Sequence, residues 1–182
     1  MLNLSLLRGI RRRAILLGGA FALGTALGMA AWAPSPAWAD GTFRLAMAED
    51  ALTLDPIASS DNASIWTELL IFDQLVRPSK DGTKLEPGLA ESWTISPDGL
   101  EYVFTLREAK FANGEAVTPE DVVYSLQRAA GEKSDWARFF KPVTHYEIVD
   151  SNTIRMRLEK PFTPMVNNLA MFCASILLKM VV

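Results

Sequence analysis

The stretch that most constrains this chain runs from Ser92 to Arg107. Trp93 and Ile95 alternate with Ser92, Thr94 and Ser96, and Pro97-Asp98-Gly99 follows. Tyr102, Phe104 and Leu106 then alternate with Val103, Thr105 and Arg107. Period-two alternation on both sides of a Pro-Asp-Gly turn predicts a β-hairpin with one apolar face. A face of that kind must be covered. Thr118-Pro119-Glu120-Asp121 begins a suitable cover: a hydroxyl that can cap, a proline suited to the first helical position, and acids at the positive end of the helix dipole. Val122, Leu126 and Ala129 fall on one side of that helix, and Gly131 ends it.

A second hairpin is predicted from Val143 to Val149, through Asp150-Ser151-Asn152, into Thr153 to Leu158. Ile154, Met156 and Leu158 point inward there, while Arg155, Arg157 and Glu159 face water. Upstream, Thr42 to Met47 reads as a first strand. Asp55-Pro56 and Ser59-Ser60-Asp61-Asn62 read as a turn and a helix start. Ile65, Leu69, Phe72 and Val76, with Trp66 and Leu70 beside them, have helical spacing and predict one wide buried face closed by Pro78. Asn113-Gly114 marks a tight turn, and Thr163-Pro164 opens a short helix reaching about Ala170. The class is mixed α/β.

Charge is unevenly spread. The chain has 18 Lys+Arg and 21 Asp+Glu, yet Arg8, Arg11, Arg12 and Arg13 stand in a first segment without a single acid. Ala14 to Ala33 is uncharged and rich in Ala, Leu and Gly. Pro34 and Pro36 follow, then Ala37-Trp38-Ala39. A basic start, an apolar middle and a small-x-small exit predict a secretory signal peptide over residues 1–39, cut after Ala39. The alternative is an uncleaved anchor, since roughly 20 apolar residues can span a bilayer. Gly18, Gly19, Gly24 and Gly28 weaken such a helix, and the Ala37–Ala39 exit pattern favours cleavage. Either way the remainder is exported, because the positive end stays inside. The net charge of -3 gives no basis for a nucleic-acid partner.

Catalytic chemistry finds little support. His145 is the only histidine, and no nucleophile elbow or zinc-protease motif accompanies it. Cys173, among Phe172, Ala174 and Ile176, reads as a buried inert thiol and cannot form an internal disulfide. One histidine and scattered carboxylates make a poor metal site, and no loop suits a phosphate cofactor, so neither metal nor cofactor is expected. Trp66 and Trp93 read as core; Trp136 is open between core and ligand stacking.

The run LAESWTISPDGLEYVFTLREAKFANGEAVTPEDVVYSLQRA, from Leu89 to Ala129, resembles the signature region of the extracellular solute-binding proteins of family 5. These are the periplasmic receptors of peptide, nickel and related ABC importers. The resemblance extends upstream to FRLAMAEDALTLDP and downstream to IVDSNTIRMRLEKPFTPMVNNLA. It implies a periplasmic-binding-protein-like type II fold, truncated to part of lobe I plus its small accessory α/β domain. In that reading residues 40–60 are the first strand and loop of lobe I, 61–162 the accessory domain, and 163–182 a truncated return into lobe I. The apolar run Ile176 to Val182 is expected to lack partners.

The resemblance further implies a receptor that closes on a small solute, most naturally a peptide, and docks on an ABC permease in the inner membrane. Membrane contact would come only through the signal segment if it is uncleaved. Ligand contacts in such receptors include the loop leaving the first strand. Here that places Glu49 and Asp50 as ligand-binding candidates, Glu49 toward a peptide's ammonium group, against the alternative of solvated loop acids. With half the cleft missing, the chain alone is expected to bind solute poorly. Two rivals stand beside this reading. One is an exported interaction module that contacts a permease or envelope partner without binding solute. The other is a hydrolase built around His145, for which the residues supply no anchor.

Overall fold

Ser96 Oγ and Leu100 N–H both donate to Asp98 Oδ1, at 2.5 and 3.1 Å, and Gly99 takes a φ of +70°. That turn, at the predicted place, sets the register of everything around it. The structure is a computed structural model that describes residues 46–179. The expected signal segment, with Ala37 and Ala39, and most of the expected first strand lie outside the described residues. Ala46 and Met47 are not in a strand.

In chain order the elements are α1 (Asn62–Ile71), β1 (Val76–Pro78), β2 (Leu85–Pro87), β3 (Ala90–Ile95), β4 (Glu101–Leu106) and α2 (Pro119–Ala130). A 3-10 turn (Ala137–Phe139), β5 (Val143–Asp150), β6 (Thr153–Leu158), α3 (Met165–Asn168) and a second 3-10 turn (Phe172–Ala174) follow. The two predicted hairpins join into one antiparallel sheet in the order β3-β4-β6-β5, with Phe104 opposite Ile154 and Tyr102 opposite Met156 at its centre. Alternation decides the faces. Tyr102, Phe104, Leu106, Ile154, Met156 and Leu158 are buried, while Arg155 and Glu101 form an ion pair on the opposite side at 3.3 Å. Trp93 is half-buried, and Ile95, at the end of an edge strand, is exposed.

The apolar face is covered by α2. Thr118 Oγ1 accepts from Asp121 N–H, and Asp121 Oδ2 accepts from Thr118 N–H at 2.9 Å, a reciprocal capping box with Pro119 in the first turn. Val122, Leu126 and Ala129 on its inner side are fully buried or nearly so. Burial of a large side chain such as Leu126 contributes about 1.5–3 kcal/mol. Pro164, rather than Thr163, caps α3, with no side-chain bond, and α3 is a single turn.

Two expectations need correction at α1. The helix ends at Ile71: Phe72 is extended and donates its N–H to Glu68 O, while Val76–Pro78 pairs with β2 instead of continuing the helix. Its buried side also differs from that expected, although Ile65 still packs against the core. Ala63, Ser64 and Glu68 are buried, whereas Trp66 (57% exposed), Leu69 (46%), Leu70 (70%) and Ile71 (53%) face outward. The polar side turns inward because its groups find partners there. Ser64 Oγ accepts from the N–H groups of Leu52 and Thr53, at 2.9 and 3.2 Å.

The described end of the chain differs from expectation too. Ile176 is buried and donates its N–H to Asp73 O at 2.9 Å; Leu177 N–H donates to Ser125 Oγ at 2.9 Å, and Lys179 N–H to Asp121 Oδ1 at 3.0 Å. One helix, α2, therefore grips both the sheet and residues 177–179.

Two substitutions test this packing. A Cβ at Gly88 would lie 2.4 Å from Gln74 O and 2.9 Å from Leu75 O, both main-chain atoms that cannot swing aside. Gly88→Ala is expected to destabilise by about 1–3 kcal/mol. Phe104→Ala is expected to cost about 3–5 kcal/mol, as for a large aromatic lost from a filled core. Urea unfolding followed by tryptophan fluorescence reads both; values within a few tenths of the parent would contradict the packing described.

Candidate functional site

A groove opens where Thr53–Pro56, the end of α1 with Phe72, and the segment Ile176–Leu178 meet. Its volume is about 650 Å³, and Phe111, Ala112, Asn113 and Arg128 complete the lining. Much of the wall is hydrocarbon. The turn that carries Asn113 is fixed by Gly114, whose N–H donates to Phe111 O at 2.9 Å with φ at +90°. That φ is open to glycine at little cost.

Formal charge enters the lining at one place. Arg128, in the last turn of α2, donates from Nη1 and Nη2 to Asp55 Oδ1 and Oδ2, each at 2.6 Å. Two parallel bonds make the strong form of a guanidinium–carboxylate contact. Those bonds hold the Asp55 carboxyl below the usual carboxylate range, against partial burial, and they raise Arg128 in turn. Thr53 Oγ1 accepts from Asp55 N–H at 3.0 Å, and Asp55 Oδ1 accepts from Ile57 N–H at 3.4 Å.

The loop carrying Asp55 is tied on several sides. Asp135 N–H donates to Ile57 O, and Trp136 Nε1–H donates to Ser59 O, both at 3.0 Å. Ser59 Oγ lies 3.0 Å from Asp55 O and is also hydrogen-bonded to Glu68 Oε1. The open question over Trp136 is settled toward packing: its ring stacks on Phe139 at 5.8 Å and meets Phe172 edge-on at 5.0 Å.

Glu49 and Asp50 are exposed and are not among the groove's lining residues, which begin at Thr53. His145 is exposed on β5 opposite Arg157. Cys173 is 2% exposed, and burial pushes its thiol up to about 12, as befits an inert packed group. Among the described residues no three His, Cys, Asp or Glu side chains converge as a metal site. The lining holds no Ser, Cys or His; its one hydroxyl, Thr53 Oγ1, is engaged by the Asp55 N–H. What it offers is shape, apolar surface, one hydrogen-bonding amide at Asn113 and one neutralised ion pair. The sequence reading missed Asp55 and Arg128. They are 73 residues apart, and each had a sufficient local explanation, a turn for one and a helix end for the other.

Arg128→Ala leaves the Asp55 carboxylate without its partner. The pair is partly solvated, so the expected cost is about 1–2 kcal/mol, between that of an exposed and a buried pair. Asp55 is held below its ordinary range, so this stabilisation is present above that range and fades as pH falls through the folded value. Urea midpoints of parent and variant should therefore differ at neutral pH and converge on acidification; a constant difference would refute the linkage.

Residues 84–179 match the family described as bacterial extracellular solute-binding proteins, family 5 Middle. The chain is 36% identical over 135 residues to the probable D,D-dipeptide-binding periplasmic protein DdpA of Escherichia coli strain K12, covering 71% of this chain and 26% of that protein. The periplasmic binding protein AgaA of A. tumefaciens R10, solved in complex with agropinic acid, superimposes with a TM-score of 0.68. Identity there is 33%, covering 70% of this chain and 26% of that one. DppA of Helicobacter pylori, an ABC transporter-associated periplasmic binding protein solved with peptide STSA, superimposes with a TM-score of 0.64 at 33% identity, covering 72% of this chain and 30% of that one. The chain thus spans between a quarter and a third of the length of each. The described residues have the fold of the corresponding part of type II periplasmic binding proteins. The two hairpins, the capped α2 and the segment gripped by it all lie within the matched span, and the chain belongs to the family 5 extracellular solute-binding proteins.

Proposed function

We propose that this chain contributes one wall of the solute site in a periplasmic receptor that delivers a small solute, most naturally a peptide, to an ABC permease in the inner membrane. The observation that carries the reading is family membership through a segment whose fold is shared with receptors solved around a bound solute. DdpA, named for D,D-dipeptide, and DppA, solved with peptide STSA, favour a peptide; AgaA was solved with a different solute, agropinic acid. In this reading residues 61–162 form the accessory domain, and 40–60 with 163–182 belong to lobe I. Residues 1–39 direct export as a signal peptide that is cut after Ala39. Glu49 and Asp50, both exposed, are the candidate ligand-binding acids of this reading, with Glu49 toward a peptide's ammonium group. A solute that touches both lobes binds the closed state more tightly, and that difference alone drives closure.

The exposed apolar face of α1, with Leu70 at 70% and Trp66 at 57% exposure, supports a second reading, in which the chain engages another polypeptide without solute.

A chimera separates the two. Residues 40–179 replace the matching segment of DdpA, and D,D-dipeptide is titrated by calorimetry. Saturable binding, weakened about tenfold or more by Glu49→Ala or Asp50→Ala, is the expected result, the loss corresponding to one charge-assisted contact. A folded chimera that takes up no dipeptide would remove the solute-wall reading. Binding unaffected by either substitution would remove Glu49 and Asp50 from it.

A further inference from the structure

The Glu68 side chain is fully buried on the inner side of α1, and its Oε2 has no hydrogen-bond partner among the described residues. Its other oxygen meets Ser59 Oγ, which also lies 3.0 Å from Asp55 O. A serine hydroxyl has one proton to give. The Asp55 carbonyl can only accept. If Glu68 were ionised it too could only accept, and one of the two oxygen pairs would be left without a hydrogen.

We infer that Glu68 is a neutral carboxylic acid whose proton is donated to Ser59 Oγ, which passes its own to Asp55 O, so that α1 latches the 55–59 loop beneath the groove and releases it as pH rises. This goes beyond the solute-wall reading and stands whether or not that reading holds, because it rests on proton count and burial.

The surroundings agree. Asp55 on the loop and Asp61 at the N-cap of α1 both disfavour a further negative charge at Glu68. Cys173, on the 3-10 turn packed against α1, is a neutral thiol. Arg128 is engaged by both oxygens of Asp55, and among the described residues no cation forms an ion pair with Glu68. Burial, ahead of these charges, raises the Glu68 carboxyl above its ordinary range, while the Ser59 contact pulls the other way. An ionised, half-partnered carboxylate here would carry a penalty that the acid form avoids.

The sign follows. A carboxyl raised in the folded state stabilises fully below its unfolded value, and that contribution is lost as pH climbs through the folded value. The latch is an alkaline-labile device; Asp55–Arg128 is its acid-labile counterpart.

The test uses the full chain carrying ¹³C-labelled glutamate. The Glu68 carboxyl resonance, assigned by its loss in Glu68→Gln, should keep its protonated position at pH values where the exposed glutamates have already ionised. Glu68→Gln retains a donor toward Ser59 and cannot ionise. Its urea midpoint should match the parent in acid and exceed it in alkali. Exchange of the Leu52 and Thr53 amides should accelerate about tenfold beyond base catalysis in the parent but not in the variant, a response that a purely space-filling Glu68 would not produce. A Glu68 resonance that titrates with the exposed glutamates would overturn the inference, and that measurement holds even if Glu68→Gln folds poorly. A variant less stable than the parent by the same amount at every pH would overturn it equally.

Discussion

Everything described here depends on a four-stranded sheet that has only one face to bury and one main helix to bury it under. Phe104 and Ile154, opposite each other on the central strands, set the depth of the core, and α2 seals it with Val122, Leu126 and Ala129. Because α2 is fixed by that contact, its outer features inherit fixed positions. Arg128 is presented to the Asp55 loop, while Ser125 and Asp121 are presented to the backbone of residues 177–179. The groove exists because segments distant in sequence are fastened to the same helix.

The parts legible in the sequence are those whose cause is local. Alternation around Pro97-Asp98-Gly99 and around Asp150-Ser151-Asn152 specified both hairpins and the inward faces of the central strands β4 and β6. Thr118 and Pro119 specified the start of α2 and Gly131 its end. The illegible parts have causes elsewhere. In α1, apolar spacing pointed to a face that is exposed, since the partners of Ser64 and Glu68 lie on a loop whose position no helical period encodes. β1 and β2 have three residues each, too few to show a period of two. Asp55 and Arg128, 73 residues apart, are brought together only by the tertiary fold.

The family resemblance was legible for the same reason. Its motif lies on the scaffold of hairpin and helix, where local rules dominate, and the match over residues 84–179 covers that scaffold. The candidate ligand acids sit outside it, at Glu49 and Asp50, where nothing packed around them reports a role. A scaffold signature identifies a lineage more readily than a cargo, and the ligands named for DdpA, AgaA and DppA differ accordingly.

The burial of Cys173 has a practical corollary. With the molecule's single sulfhydryl shut inside the core, maleimide dyes and spin labels find no purchase on the native protein. A cysteine engineered at an outward position such as Thr94 would then be its sole addressable handle, giving fluorescence or distance measurements one unambiguous reporter without first deleting the natural residue.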